Sequence, residues 1–183
     1  MIQTKDITTV IMMAVLQLVI TVLIVQMGTL ITGIVGTNFL FTIFLAIPIS
    51  FSLLTYEGRR WRLFIQLALF TLLAMPTTLG GAPFDPTPRL SSLTTAFLLD
   101  LVANQLYGFF KKNDKLIWWS ILSSIIYWIM TPFFKMVVFS IFYAPGMVES
   151  FISVVSLLLP VIIAEAMAGA YVGYKIYNRQ LKC

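Results

Sequence analysis

Long apolar runs, interrupted at intervals by charges, glycines and prolines, dominate the pattern of this chain. Six of them emerge, over approximately 7–27, 38–55, 61–76, 90–110, 116–143 and 149–175. A bilayer core of about 30 Å requires about 20 apolar residues of helix, so each run predicts a membrane-spanning helix. Residues 1–183 therefore form a single transmembrane domain: an all-α integral membrane protein, a compact bundle of six transmembrane helices joined by short loops. The third run is short for a span, and Arg62 at its inner end must snorkel outward, or the helix tilts less and the bilayer thins. The fifth is long, and Pro132 followed by Lys135 predicts a kink or an early exit.

Composition agrees with that solvent: 60% of the residues are apolar, 10% are charged, and the mean hydropathy is +0.96. Charge then orients the bundle. Lys5 precedes the first run, Arg59, Arg60 and Arg62 lie at the second turn, Lys111, Lys112 and Lys115 at the fourth, and Lys175, Arg179 and Lys182 at the end. All of these fall on one side of a six-span alternation, leaving Arg89 and Lys135 for the other, so the positive-inside rule puts both termini in the cytoplasm. The same distribution gives the basic chain no nucleic-acid face, since its cations sit in short stretches between apolar runs. The first run is too long for the apolar part of a signal peptide and is expected to stay in the mature protein.

Several chemistries drop out. There is no histidine, hence no imidazole base, proton shuttle or zinc ligand, and the one cysteine, Cys183, makes neither an internal disulfide nor a metal cage. No glycine-rich phosphate loop of the Walker type occurs, and nothing in the pattern asks for a cofactor or a metal.

Ionisable groups within spans are costly, and three stand out: Asp100 in the fourth, Glu165 in the sixth and Lys135 toward the outer end of the fifth. The two acids are either protonated or bonded to the backbones of neighbouring helices, or they form a carboxylate pair. The outer connections, from Gly28 to Asn38 and from Pro76 to Pro88, are rich in turn formers, and the prolines of the second suit an ordered lid. Lys135 with Asp85, Arg89 and Glu149 is therefore expected to supply polar contacts to a solute held beneath those loops, Asn38 from the first loop joining them and Tyr127 and Trp128 offering rings for stacking. Trp118 and Trp119 read as an interfacial belt, and Asp100, Asn104 and Tyr107 share a face that points into the bundle. Two small-residue ladders on the last helix, Ala164–Ala168–Val172 and Gly169–Gly173, permit close helix approach.

The layout, together with the segments Lys5–Ala14, Leu93–Leu101 and Ala168–Lys175, resembles the membrane-embedded, substrate-binding S components of energy-coupling factor (ECF) transporters. That resemblance implies a prokaryotic plasma-membrane protein that captures a vitamin or related micronutrient from outside. It also implies partners: a transmembrane coupling subunit and two cytoplasmic ATPases, met through the first helix. The family docks that helix by an alanine-x-x-x-alanine face; here the corresponding stripe is Val10, Ala14 and Leu18. The alternatives are a membrane scaffold or assembly subunit, and a membrane-embedded enzyme built on Asp100 and Glu165.

Overall fold

The computed structural model of the protein describes residues 4–25, 30–33, 37–77 and 83–180. These are almost wholly helical, with no strand among them. In hydrocarbon no water is available to pair backbone N–H and C=O groups, and a helix satisfies them within one segment. Helix α1 runs Thr4–Ile20 and widens into a π turn, Thr21–Val25. A 3-10 turn, Thr37–Phe41, leads into α2, Thr42–Tyr56. There follow α3 (Arg62–Ala74), α4 (Thr87–Lys112), α5 (Leu116–Phe142) and α6 (Pro145–Gln180).

Five of these stretches are long and apolar enough to cross a membrane: Asp6–Ile24, Phe39–Tyr56, Thr87–Lys112, Leu116–Phe142 and Pro145–Gln180. Helix α3 is not among them. Its 13 residues reach about 20 Å, short of a hydrocarbon core of about 30 Å. The helix of the fifth run continues through Pro132 and Lys135 to Phe142.

Helix α2 lies inside the bundle, in contact with α1, α3, α5 and α6. Its closest neighbour is α6, and the reason is Gly169 and Gly173. A methyl group at Gly169 would fall 2.6 Å from the Ala46 Cβ, and one at Gly173 would fall 2.8 Å from the Ile47 carbonyl oxygen. Only hydrogen at both positions lets the two backbones meet. The other ladder is different: Ala164, Ala168 and Val172 are exposed on the outer side of α6.

Helix α3 packs between α1 and α4, and α4 holds it at both ends. The Asp100 carboxylate accepts hydrogen bonds from the N–H groups of Trp61 (2.6 Å), Leu63 (3.2 Å) and Phe64 (3.4 Å), the free donors at the start of α3. At its other end the Arg89 guanidinium donates to the carbonyls of Ala74 (3.1 Å), Met75 (3.2 Å) and Thr77 (3.2 Å). An acid at the N-terminus and a base at the C-terminus both complement the helix dipole. Helix α3 is thus antiparallel to the stretch of α4 from Arg89 to Asp100. The turn before it, residues 57–61, carries left-handed backbone at Glu57, Gly58 and Trp61, and a Cβ on Gly58 would lie 2.5 Å from the Tyr107 ring. A buried polar chain ties three helices together: the Tyr56 hydroxyl donates to Gln66 Oε1 (2.7 Å), and Gln66 Nε2 donates to Gln17 Oε1 (3.2 Å).

The inward face predicted for α4 is present, with Asp100 and Tyr107 buried and Asn104 donating to the Asp100 carboxylate at 3.0 Å. The tryptophan pair divides. Trp118 is exposed, whereas Trp119 is buried, gives its Nε1–H to the Ala103 carbonyl (2.9 Å) and packs edge-on against Tyr107.

Candidate solute-binding site

Helix α5 places Trp128, Pro132, Lys135 and Phe139 at i, i+4, i+7 and i+11, the spacing of a single face. The 3-10 turn brings Phe39 against this stripe, and α6 brings Phe151. The indole of Trp128 meets the Phe39 ring edge-on at 6.3 Å, and the Lys135 Nζ lies 5.6 Å from the centroid of that same ring. Phe139 packs on Phe151 at 5.2 Å and on Tyr143 at 4.8 Å, carrying the aromatic surface to the α5–α6 turn.

Among the described residues, two donors in this cluster lack acceptors. Trp128 is 5% exposed, and its indole N–H is buried without a hydrogen-bond partner. Lys135 is half-buried and takes no part in the ion pairs among the described residues, which join Arg59 and Arg62 to Asp6 and Arg59 to Glu57. Its ammonium rests over Phe39 instead, a cation–π contact that a harder anion would outcompete in a site shielded from water. Pro132 adds an acceptor: it has no N–H to return to the Trp128 carbonyl, which is left without its helical partner.

The other residues expected at a site are placed elsewhere or are already engaged. Arg89 is buried and committed to the C-terminus of α3 and to the Asp85 carbonyl. The Asp85 carboxylate accepts from the Tyr143 hydroxyl and from the Thr87 N–H (2.9 Å), which opens α4. The Tyr143 bond, helped by the Thr87 N–H, holds Asp85 below the usual carboxylate range, while burial and the same bond raise the Tyr143 phenol. Glu149 is exposed; it stands two positions before the buried Phe151, roughly 200° around the helix from it. Tyr127 is buried and packs edge-on against Trp128 at 5.2 Å, behind the stripe. Asn38 belongs to the 3-10 turn, but its side chain lies outside the described residues, as do much of the two outer loops at 26–29, 34–36 and 78–82.

On α1, Val10 and Ala14 are buried against the chain's own helices and Leu18 is half-buried. The outward face of α1 carries Ile11, Met12, Val15 and Val19 instead. The two intramembrane acids do not meet. Asp100 serves the start of α3, and Glu165 accepts from the Ile43 N–H (3.1 Å) at the start of α2, so most of the length of α2 separates them.

Sequence reasoning named Lys135 and Trp128 as candidates but did not name Phe39, Phe139, Phe151 and Tyr143, which pack around them. Phe139 was accessible as the i+4 neighbour of Lys135, and Phe39 as the residue after Asn38; the distant partners Phe151 and Tyr143 had no local signal. Comparison with family models, with curated proteins and with solved structures found no match to this chain.

Proposed function

We propose that the protein captures a small solute from outside the cell and delivers it across the membrane, acting as the substrate-specific subunit of a transporter similar to the ECF type. The observation that carries this reading is the Trp128 indole N–H, buried without a partner among the described residues, and the Lys135 ammonium outside every ion pair among them, both next to the Phe39 ring. Leaving a buried N–H unpaired costs about 1–3 kcal/mol, a cost that a bound acceptor would offset. The solute class in this reading is a vitamin or related micronutrient. A coupling subunit and two ATPases would supply the energy that a chain without a Walker loop does not.

The proposed topology has six crossings, with both termini in the cytoplasm and the Lys135 end of α5 toward the outside. It is supported by the basic clusters at the turns after α2 and α4 and by the antiparallel seating of α3, which carries the chain from the Asp100 level of α4 to its Arg89 end. Asp100 and Arg89 make a short crossing tolerable because they satisfy both of its ends. A partner on α1 would meet the Ile11, Val15 and Val19 face, since the chain itself covers Val10 and Ala14.

The test is purification of the chain alone in detergent, followed by denaturation and mass spectrometry of what is released. One small molecule in a ratio near 1:1 to protein is expected. A preparation free of solute, and unable to take one up from a panel of vitamins and their precursors, would overturn the reading.

A further inference from the structure

The site's donors and the fate of its carboxylates narrow the ligand, on the premise that the chain captures a solute at all. A cationic ligand would need an anion at the site, and among the described residues none is available. Asp85 is held by Tyr143 and Thr87, Glu165 is held by the start of α2, and Glu149 faces away. The one charge at the stripe is the Lys135 ammonium, half-buried beside low-polarity aromatic rings, so a ligand bearing a single negative charge matches it. The indole N–H of Trp128 donates and never accepts, so what meets it must carry a lone pair. The Trp128 ring centroid lies 6.3 Å and the Lys135 Nζ 5.6 Å from the Phe39 centroid, so a ligand that touches both residues is short and flat enough to lie along that ring.

We infer that the site takes a monocarboxylate carried on a planar ring system, its carboxylate paired with Lys135, its ring against Phe39 and a ring-borne acceptor, a nitrogen or a carbonyl, receiving the Trp128 indole N–H. On binding, the ammonium exchanges its contact with the Phe39 face for an ion pair with the carboxylate. The vacated ring face is where the ligand ring lies.

Three probes separate these contacts: quinoline-3-carboxylate, 2-naphthoate, which lacks the ring nitrogen, and quinoline-3-carboxamide, which lacks the charge. Binding to the full-length purified protein is read by isothermal titration. The quinoline acid is expected to bind at least tenfold more tightly than its amide, a preference that K135M erases and K135R retains in part. It is also expected to bind several-fold more tightly than the naphthoate, a preference that W128F erases while leaving the acid-over-amide preference intact. Thermal melts of each variant establish that it is folded. Equal binding of acid and amide, acid preference surviving in K135M, or binding of none of the probes would overturn the ligand class. The premise is tested separately by the solute released on denaturation. A neutral or cationic solute at 1:1 would overturn the class and leave capture standing; no released solute together with no probe binding would overturn both.

Discussion

Asp100 shows how a buried carboxylate is held by the fold around it. Its carboxylate takes three backbone N–H groups at the start of α3 and the amide of Asn104, so every direction from it is occupied. Asp100→Ala leaves those donors buried and unpaired and should cost about 3 kcal/mol, read as a fall in melting temperature, with Asp100→Asn intermediate because its carbonyl oxygen still accepts. A melting temperature unchanged in the alanine variant would refute the capping role. Lys135 belongs to the opposite category, a charge whose neighbours leave it unpaired, and Lys135→Met should leave the melting temperature unchanged or raise it. Tyr143 and Asp85 form the tie between the α3–α4 connection and the α5–α6 turn. Because the folded state lowers the Asp85 pKa, the tie contributes stability above the ordinary aspartate value of about 3.9 and loses it as pH falls through the lowered value. The difference in melting temperature between wild type and Tyr143→Phe should therefore be full above about pH 5 and shrink in more acid solution; a difference independent of pH would contradict the tie.

Among the elements, α2 and α6 make the closest approach, and Gly169 sets it. Gly169→Ala places a methyl group 2.6 Å from the Ala46 Cβ, so the helices must separate, at a cost of about 1–3 kcal/mol. Ala168→Leu, one position away on the exposed side, should be nearly neutral in the same melt. That contrast marks what the sequence made legible. Spacing identified two small-residue ladders, but it did not distinguish the one that faces α2 from the one that faces outward, because helical periodicity supplies a face and not the identity of its neighbour. Hydropathy likewise located the helices, since each long apolar run must satisfy its backbone internally. It could not show what holds the two ends of the short α3, because the Asp100 and Arg89 caps join residues that are far apart along the chain. The candidate site was legible to the same degree: Lys135 and Trp128 stand out in the sequence as a charge and a large ring on one helix, whereas Arg89 and Asp85 looked equally suitable and are engaged in holding the fold.

At the scale of the whole molecule, the proposal divides the bundle into a solute end and a partner end, and its topology is open to labelling. With Cys183 replaced by serine the chain has no other cysteine, so single cysteines report each loop. Cysteine at Asn113, between α4 and α5, should react with an impermeant maleimide only after the cells are permeabilised, and cysteine at Ser150, near the start of α6, should react in intact cells. Labelling of both from the same side would remove the proposed crossing by α5. The most direct test of capture at the Lys135 stripe compares solute retained by wild type, Lys135→Met and the surface control Glu149→Gln, purified identically and quantified by mass spectrometry. Retention near 1:1 in wild type and Glu149→Gln, with at least a tenfold loss in a folded Lys135→Met, is the predicted result; undiminished retention in Lys135→Met would contradict it.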